Sequence, residues 1–316
     1  MNPIKILFSP LRVRIPFLLD VLVVSDPDQI QRIEASGDVD RLHVKNTASL
    51  PWWIRYFFRA TKFHDDRRDL WFCPFESEEN PSYRPRRAYL EEKVATGYTV
   101  EDVRNIAGLL NANADDETLA HAMVQVVNRR FFSRDIPLAV SRDAKNTLQN
   151  FGEALSPWKY KRARASRERI LEYCSANLEK NVHVLDVGHN IGEVVQATAG
   201  ALRVLKDNPD KSVEEIFTAH APTPQVPRIA VRASKLGGLL WFSTRPGKTV
   251  VIFKVGKAAA RTGNLYFTFG TGSPDRACVF KDFFLAFMKD LQRELRREES
   301  PRSSPPGATA GQDASD

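Results

Sequence analysis

The chain has 316 residues, 46 of them Lys or Arg and 39 Asp or Glu, for a formal net charge of +7, and 42% of its positions are hydrophobic. This is a soluble globular composition for one large domain or two small ones. Its three cysteines, Cys73, Cys174 and Cys278, form no CxxC pair, which argues against a disulfide framework and a structural zinc site and points to a reducing compartment.

In chain order, the first apolar run, Ile15 to Val24, contains Asp20 and is far shorter than the ~20 residues of a membrane span. It also lacks a cleavage site, so a cytoplasmic protein with no stable membrane insertion is expected. Val21 to Val24 reads as a strand, and Ser25-Asp26-Pro27 as a capping side chain followed by a Pro suited to the first helical turn. Between Leu50 and Arg87 aromatics crowd without a regular period, and the stretch from Trp52 to Phe75 is a candidate pocket wall. From Asp115, Leu119, Met123, Val126, Val127 and Phe131 recur at helical spacing. Further helices are expected over Ser166 to Leu178 and His183 to Val204, the second with Gly188 and Gly192 inside it.

After Pro222 the pattern turns to short strands, Ile229 to Val231, Leu239 to Phe242 and Thr249 to Val255. A loop from Phe267 to Cys278 then feeds a last amphipathic helix carrying Phe283, Phe287, Leu291 and Leu295 on one stripe. From Glu299 to Asp316 no large apolar residue occurs, and the reading is a disordered tail behind a single domain over 1–298.

The loop carries the chemistry. Phe269, Gly270, Gly272, Arg276 and Cys278 place glycines, a guanidinium and a thiol ahead of a long helix. A helix N-terminus favours thiolate over thiol, and thiolate is a ligand for soft metals and for haem iron, while an Arg pairs with a carboxylate such as a haem propionate.

This loop resembles the FGxGxRxCxG loop of the cytochrome P450 family, with two extra residues before Arg276 and Phe280 in place of Gly. Val187-Gly188-His189-Asn190-Ile191-Gly192 is similar to the middle of the family's central helix. Val213 to Thr218 resembles its ExxR helix, with Glu215 as the acid and Thr218 where Arg belongs, and Pro227-Arg228-Ile229-Ala230 looks like the strand whose Arg binds a propionate. The resemblance implies a reduced, mainly α cytochrome P450-like fold with a small β region. It also implies haem b as cofactor, Cys278 as the iron ligand, and Phe269, Gly270, Gly272, Arg276 and Arg228 around the haem.

The family's oxygen-activating members carry an acid followed by Thr in the central helix; here Asn190, Ile191 and Gly192 stand there. That departure, the lengthened loop and Lys281-Asp282-Phe283 after the cysteine are shared with the allene oxide synthase and hydroperoxide lyase branch. The implied activity is rearrangement or cleavage of a fatty-acid hydroperoxide without external reductant, with Asn190 bonding the hydroperoxide oxygen. The partners implied are a lipophilic small-molecule substrate and an oxygenase that supplies the hydroperoxide. A reductase-dependent monooxygenase and a haem-free binding module are the alternatives. The basic stretch from Trp158 to Arg169 has the composition of a nucleic-acid or anionic-membrane contact, or of a guide for fatty-acid carboxylates; it is read as a solvated helix face, with no nucleic acid as partner.

Overall fold

A computed structural model describes residues 11–15, 19–42, 44–52, 55, 64–65, 70–71, 73, 80–147, 156–178, 183–221, 224–234, 243–272 and 277–299. The expected strand over Leu239 to Phe242, residues 300–316 of the expected tail, Arg276 and most of the aromatic stretch from Trp52 to Phe75 lie outside these residues. Trp52 itself is 73% exposed and lines no wall.

Strands β1 (Leu11–Ile15), β2 (Leu19–Val24), β3 (Val39–Asp40), β6 (Val226–Ala230) and β7 (Thr249–Phe253) form one sheet in the order β1-β2-β7-β6-β3, with β2 and β7 parallel and the other pairs antiparallel. A separate pair joins β4 (His64–Asp65) to β5 (Leu70–Trp71). In β2 the period of two buries Asp20, Leu22 and Val24 on one face. Asp20 can be buried because Arg12 of β1 grips both its oxygens, at 2.8 and 2.7 Å, and Thr249, its register partner on β7, donates at 2.7 Å. Burial pushes this carboxyl up, but the Arg12 and Thr249 hydrogen bonds and the charges of Arg12 and Arg14 outweigh it and hold it below the usual carboxylate range.

Helix α1 (Pro27–Ala35) follows β2 as its sequence foretells: Asp26 accepts from the Gln29 N–H at 3.0 Å and Pro27 opens the first turn. Ile30 and Ile33 of α1 pack with Leu22, Val24, Val251, Phe253 and Phe267 in a small core on the sheet.

The larger core is helical. It is built by α3 (Tyr83–Ala95), α4 (Val100–Asn111), α5 (Asp116–Asn128), α6 (Leu138–Lys145), α7 (Pro157–Asn177), α8 (Val184–Asp207), α9 (Val213–Ala219) and α12 (Lys281–Glu299), with Leu265 of the short α11 (Leu265–Thr268) packed against it and the short α2 (Val44–Thr47) and α10 (Val255–Thr262) lying elsewhere. Helix α8 is the axle. Its buried residues, from Val184, Leu185, Val187 and Ile191 to Leu202 and Leu205, fall on every side, so it runs through the core and not over it. Helix α7 begins at Pro157, nine residues before the expected start, because its first turns are held by tertiary contacts of Ala163 and Ser166 that a mostly charged sequence does not advertise. Among the described residues no helix is long and apolar enough to cross a membrane.

Candidate functional site

The glycine loop is built on α11 and ends at α12. Gly272 has φ +90°, a left-handed conformation that L side chains rarely adopt, and its N–H donates to Tyr266 O at 3.1 Å while its carbonyl accepts from Gln31 Nε2 at 3.1 Å. The Cys278 N–H donates to Phe269 O at 2.7 Å, which folds the loop back upon itself. Phe269, half-buried, leans on Phe217 of α9 with ring centroids 5.5 Å apart, and Gly270 beside it is half-buried too. Of the expected loop residues, Phe269, Gly270, Gly272 and Cys278 are therefore brought into one turn system.

The Cys278 sulfur sits in a recess. Its residue is open to solvent, yet enough protein surrounds the thiol for desolvation to raise its pKa above the ordinary cysteine value. The Phe280 backbone N–H pulls the other way, the Glu193 charge on α8 raises the value and the Arg87 charge on α3 lowers it. The expectation that the helix N-terminus makes a thiolate is corrected here. Helix α12 starts only at Lys281, and desolvation moves the thiol up, away from thiolate.

Helix α3 supplies charges that the sequence reading missed. Both terminal nitrogens of Arg87 lie 3.4 Å from the Ala277 carbonyl, directly before the cysteine. One residue earlier Arg86 is bound to Asp186 of α8, Nε to Oδ2 at 2.8 Å and Nη2 to Oδ1 at 2.5 Å, with both side chains 1% exposed. Asp186 also accepts from the Cys73 N–H at 2.5 Å, and Arg41, buried, has its guanidinium 5.0 Å from the Tyr83 ring centre. The available signal was the run Tyr83-Arg84-Pro85-Arg86-Arg87, whose alternation of buried Arg86 with half-buried Arg87 no charge count reveals.

Two expected residues are engaged elsewhere. Asn190 is buried and its Nδ2 donates to Asn128 Oδ1 at 2.7 Å, pinning α8 to α5; among the described residues the Asn128 amide nitrogen itself has no partner. Arg228 is paired with Glu34 of α1 at 2.8 Å, both side chains 7% exposed, so the charge that a propionate would need is already neutralised. Glu215 likewise has work of its own. It closes a capping box at the start of α9, accepting from Ser212 N at 2.8 Å and Ser212 Oγ at 2.7 Å, while the Thr218 hydroxyl donates to Glu214 O at 2.9 Å.

One titration tests the recess. Alkylation of Cys278 followed against pH should shift to lower pH in Glu193→Gln, because a negative neighbour has been removed, and to higher pH in Arg87→Gln. An unchanged profile in both variants would mean that the thiol does not face α8 and α3 across the recess.

A helical body with a through-running central helix and a small mixed sheet, joined by a glycine loop that ends in a cysteine, defines the architecture. The fold is that of the cytochrome P450s. Solved structures similar to this chain include the Bacillus subtilis 168 cytochrome P450 PksS of the bacillaene polyketide synthase, at TM-score 0.62 and 13% identity over 93% of this chain and 88% of that one. A zebra fish cytochrome P450 with progesterone is similar at TM-score 0.64 and 13% identity, covering 93% and 90%. Mycobacterium smegmatis CYP164A2 with econazole bound follows at 0.61 and 12%, covering 90% and 86%. No protein-family model and no curated protein matches the sequence.

The residues present fit a haem. A soft donor is open to a recess and a backbone N–H is aimed at its sulfur, while Arg87, which reaches the same loop, is paired with Glu91 at 2.9 Å. Among the described residues no group of three or more His, Cys, Asp or Glu side chains is placed to hold a metal ion by itself.

Proposed function

We propose that the chain is a haem-thiolate enzyme acting on a lipophilic hydroperoxide without external reductant, with Cys278 as the iron ligand. The observation that carries this reading is the Cys278 thiol, open to solvent at the end of the glycine loop and within reach of the Glu193 charge of α8, in a cytochrome P450 fold. Haem, when bound, supplies cleavage of the O–O bond. Cys278 would bind as thiolate, losing its proton to the metal's charge despite the raised pKa of the free thiol. Arg87 would meet a propionate only by giving up Glu91.

The hydroperoxide preference rests on α8. Ile191 is fully buried, Gly192 has no side chain, and Asn190 gives one N–H to Asn128, so this stretch offers no carboxyl or hydroxyl to deliver protons to dioxygen. A hydroperoxide brings its O–O bond already made. A direct contact of Asn190 with that oxygen would use its second amide N–H, the first staying on Asn128. The substrate would be supplied by an oxygenase acting earlier.

A second reading, a haem-free relative that binds a lipid or a partner, is favoured by one observation: Glu215 is turned to capping and its usual cationic neighbour is Thr218. The absorption spectrum after haemin supplementation separates the two. The haem reading expects a thiolate-type red-shifted Soret band, in the reduced carbon monoxide complex as well, that is lost in Cys278→Ala. A colourless protein would overturn it. Decay of conjugated-diene absorbance on adding fatty-acid hydroperoxide alone supports the hydroperoxide reaction, whereas turnover only with NAD(P)H, a reductase and dioxygen would reassign the chain as a monooxygenase.

A further inference from the structure

The most exposed large apolar side chain among the described residues is Trp158, at 81%, in the first turn of α7. The helix buries Ala163, Ser166, Arg167, Ile170 and Cys174, and at 100° per residue Trp158, Lys161 and Arg162 fall on the outward side, while Lys159, also exposed at this free end, lies about 100° round from Trp158. Arg164 is paired with Glu168 at 2.9 Å and Arg169 with Asp143, but among the described residues no carboxylate pairs with Lys159, Lys161 or Arg162.

This arrangement opposes the stability of the helix. The first turn holds no acid and Ser156 makes no side-chain cap, so three cations stand where the positive end of the helix dipole already lies. An unpacked indole and unpaired cations at such a place gain only when an anionic, partly apolar surface arrives. We propose that this end of α7 docks on an anionic lipid surface, Trp158 entering the interfacial layer and Lys159, Lys161 and Arg162 meeting headgroup phosphates and carboxylates.

Shape decides between lipid and nucleic acid. The four side chains project from a convex helix end over five residues, a rise of about 7 Å. Single-stranded nucleic acid needs a charged groove to follow and several rings to stack on. A fluid plane meets Trp158, Lys161 and Arg162 at once, and Lys159 at the free helix end reaches it with its long stem. The docking is peripheral, in keeping with the lack of a membrane-crossing helix among the described residues, and it is independent of whether Cys278 holds iron.

The test uses the full-length protein with vesicles of phosphatidylcholine, alone or with about a third phosphatidylserine. Co-sedimentation with the anionic vesicles only, a blue shift of tryptophan emission that disappears in Trp158→Ala, and release at high salt are expected. The triple variant Lys159→Ala, Lys161→Ala, Arg162→Ala should bind roughly 100-fold more weakly. Its thermal transition should stay in place or rise, since the three side chains are exposed and their removal relieves the repulsion at the positive end of the helix. Absence of vesicle binding, equal binding to phosphatidylcholine, or undiminished binding by the triple variant would overturn the proposal. So would binding of single-stranded RNA through these residues by a protein that ignores vesicles.

Discussion

Asp186→Ala should destabilise the protein by about 3–5 kcal/mol, because it removes the carboxylate from a guanidinium buried with it and leaves a charge that water cannot reach. The loss is larger than the pair's net worth. Bringing both ions out of water is costly, so Arg86→Met with Asp186→Leu should recover most of the stability even though no ion pair is left. Denaturant unfolding of the two single variants and the double variant measures this directly. If Asp186→Ala loses less than about 1 kcal/mol, the pair is hydrated in solution and does not hold α3 to α8. The consequence reaches the site. Arg87 follows Arg86 on α3 and touches the carbonyl before Cys278, so loosening α3 should also move the alkylation profile of the thiol.

Gly272→Ala is the second change with a large expected effect. A Cβ there would lie 2.6 and 2.7 Å from two carbons of the Phe267 ring and 3.0 Å from Gln31 Nε2, at a φ of +90°. Phe267 is 1% exposed and packed in the sheet core, so the ring has nowhere to turn. Backbone strain and overpacking together should cost on the order of 3 kcal/mol. The smaller ring of Phe267→Leu should relieve part of this in the double variant, measured by thermal unfolding. A Gly272→Ala protein as stable as the parent would mean that the loop is held less closely to the sheet than these distances require.

The sequence reading and the structure agree most closely where the signal is local. Asp26-Pro27 marks the start of α1, Asp115 starts α5 by accepting from the Thr118 N–H at 2.8 Å, and the stripe of Phe283, Phe287, Leu291 and Leu295 is the buried side of α12. These features depend on neighbours three or four residues away. The glycine loop was equally legible, since Gly272 is needed for its φ whatever surrounds it, and the order of motifs around Cys278 carried the fold class.

Other properties were settled in space. The sequence shows that Arg228, Asn190 and Glu215 carry groups able to bind something, but not that Glu34, Asn128 and Ser212 already hold them. Two of those partners come from segments 62 and 194 residues away, and no local pattern encodes such a pairing. The state of Cys278 was decided likewise. Its place ahead of a helix is written in the chain and argues for a thiolate, whereas burial of the thiol and the Glu193 charge from α8 move it away from thiolate, since desolvation arises only when the distant walls close around the sulfur. Composition and local pattern thus determined a mainly helical chain with a small strand-rich section, and the resemblance of its motifs supplied the cytochrome P450 fold class. Tertiary structure determined which charges remain for a ligand, because a charge is available only if no distant residue has already neutralised it.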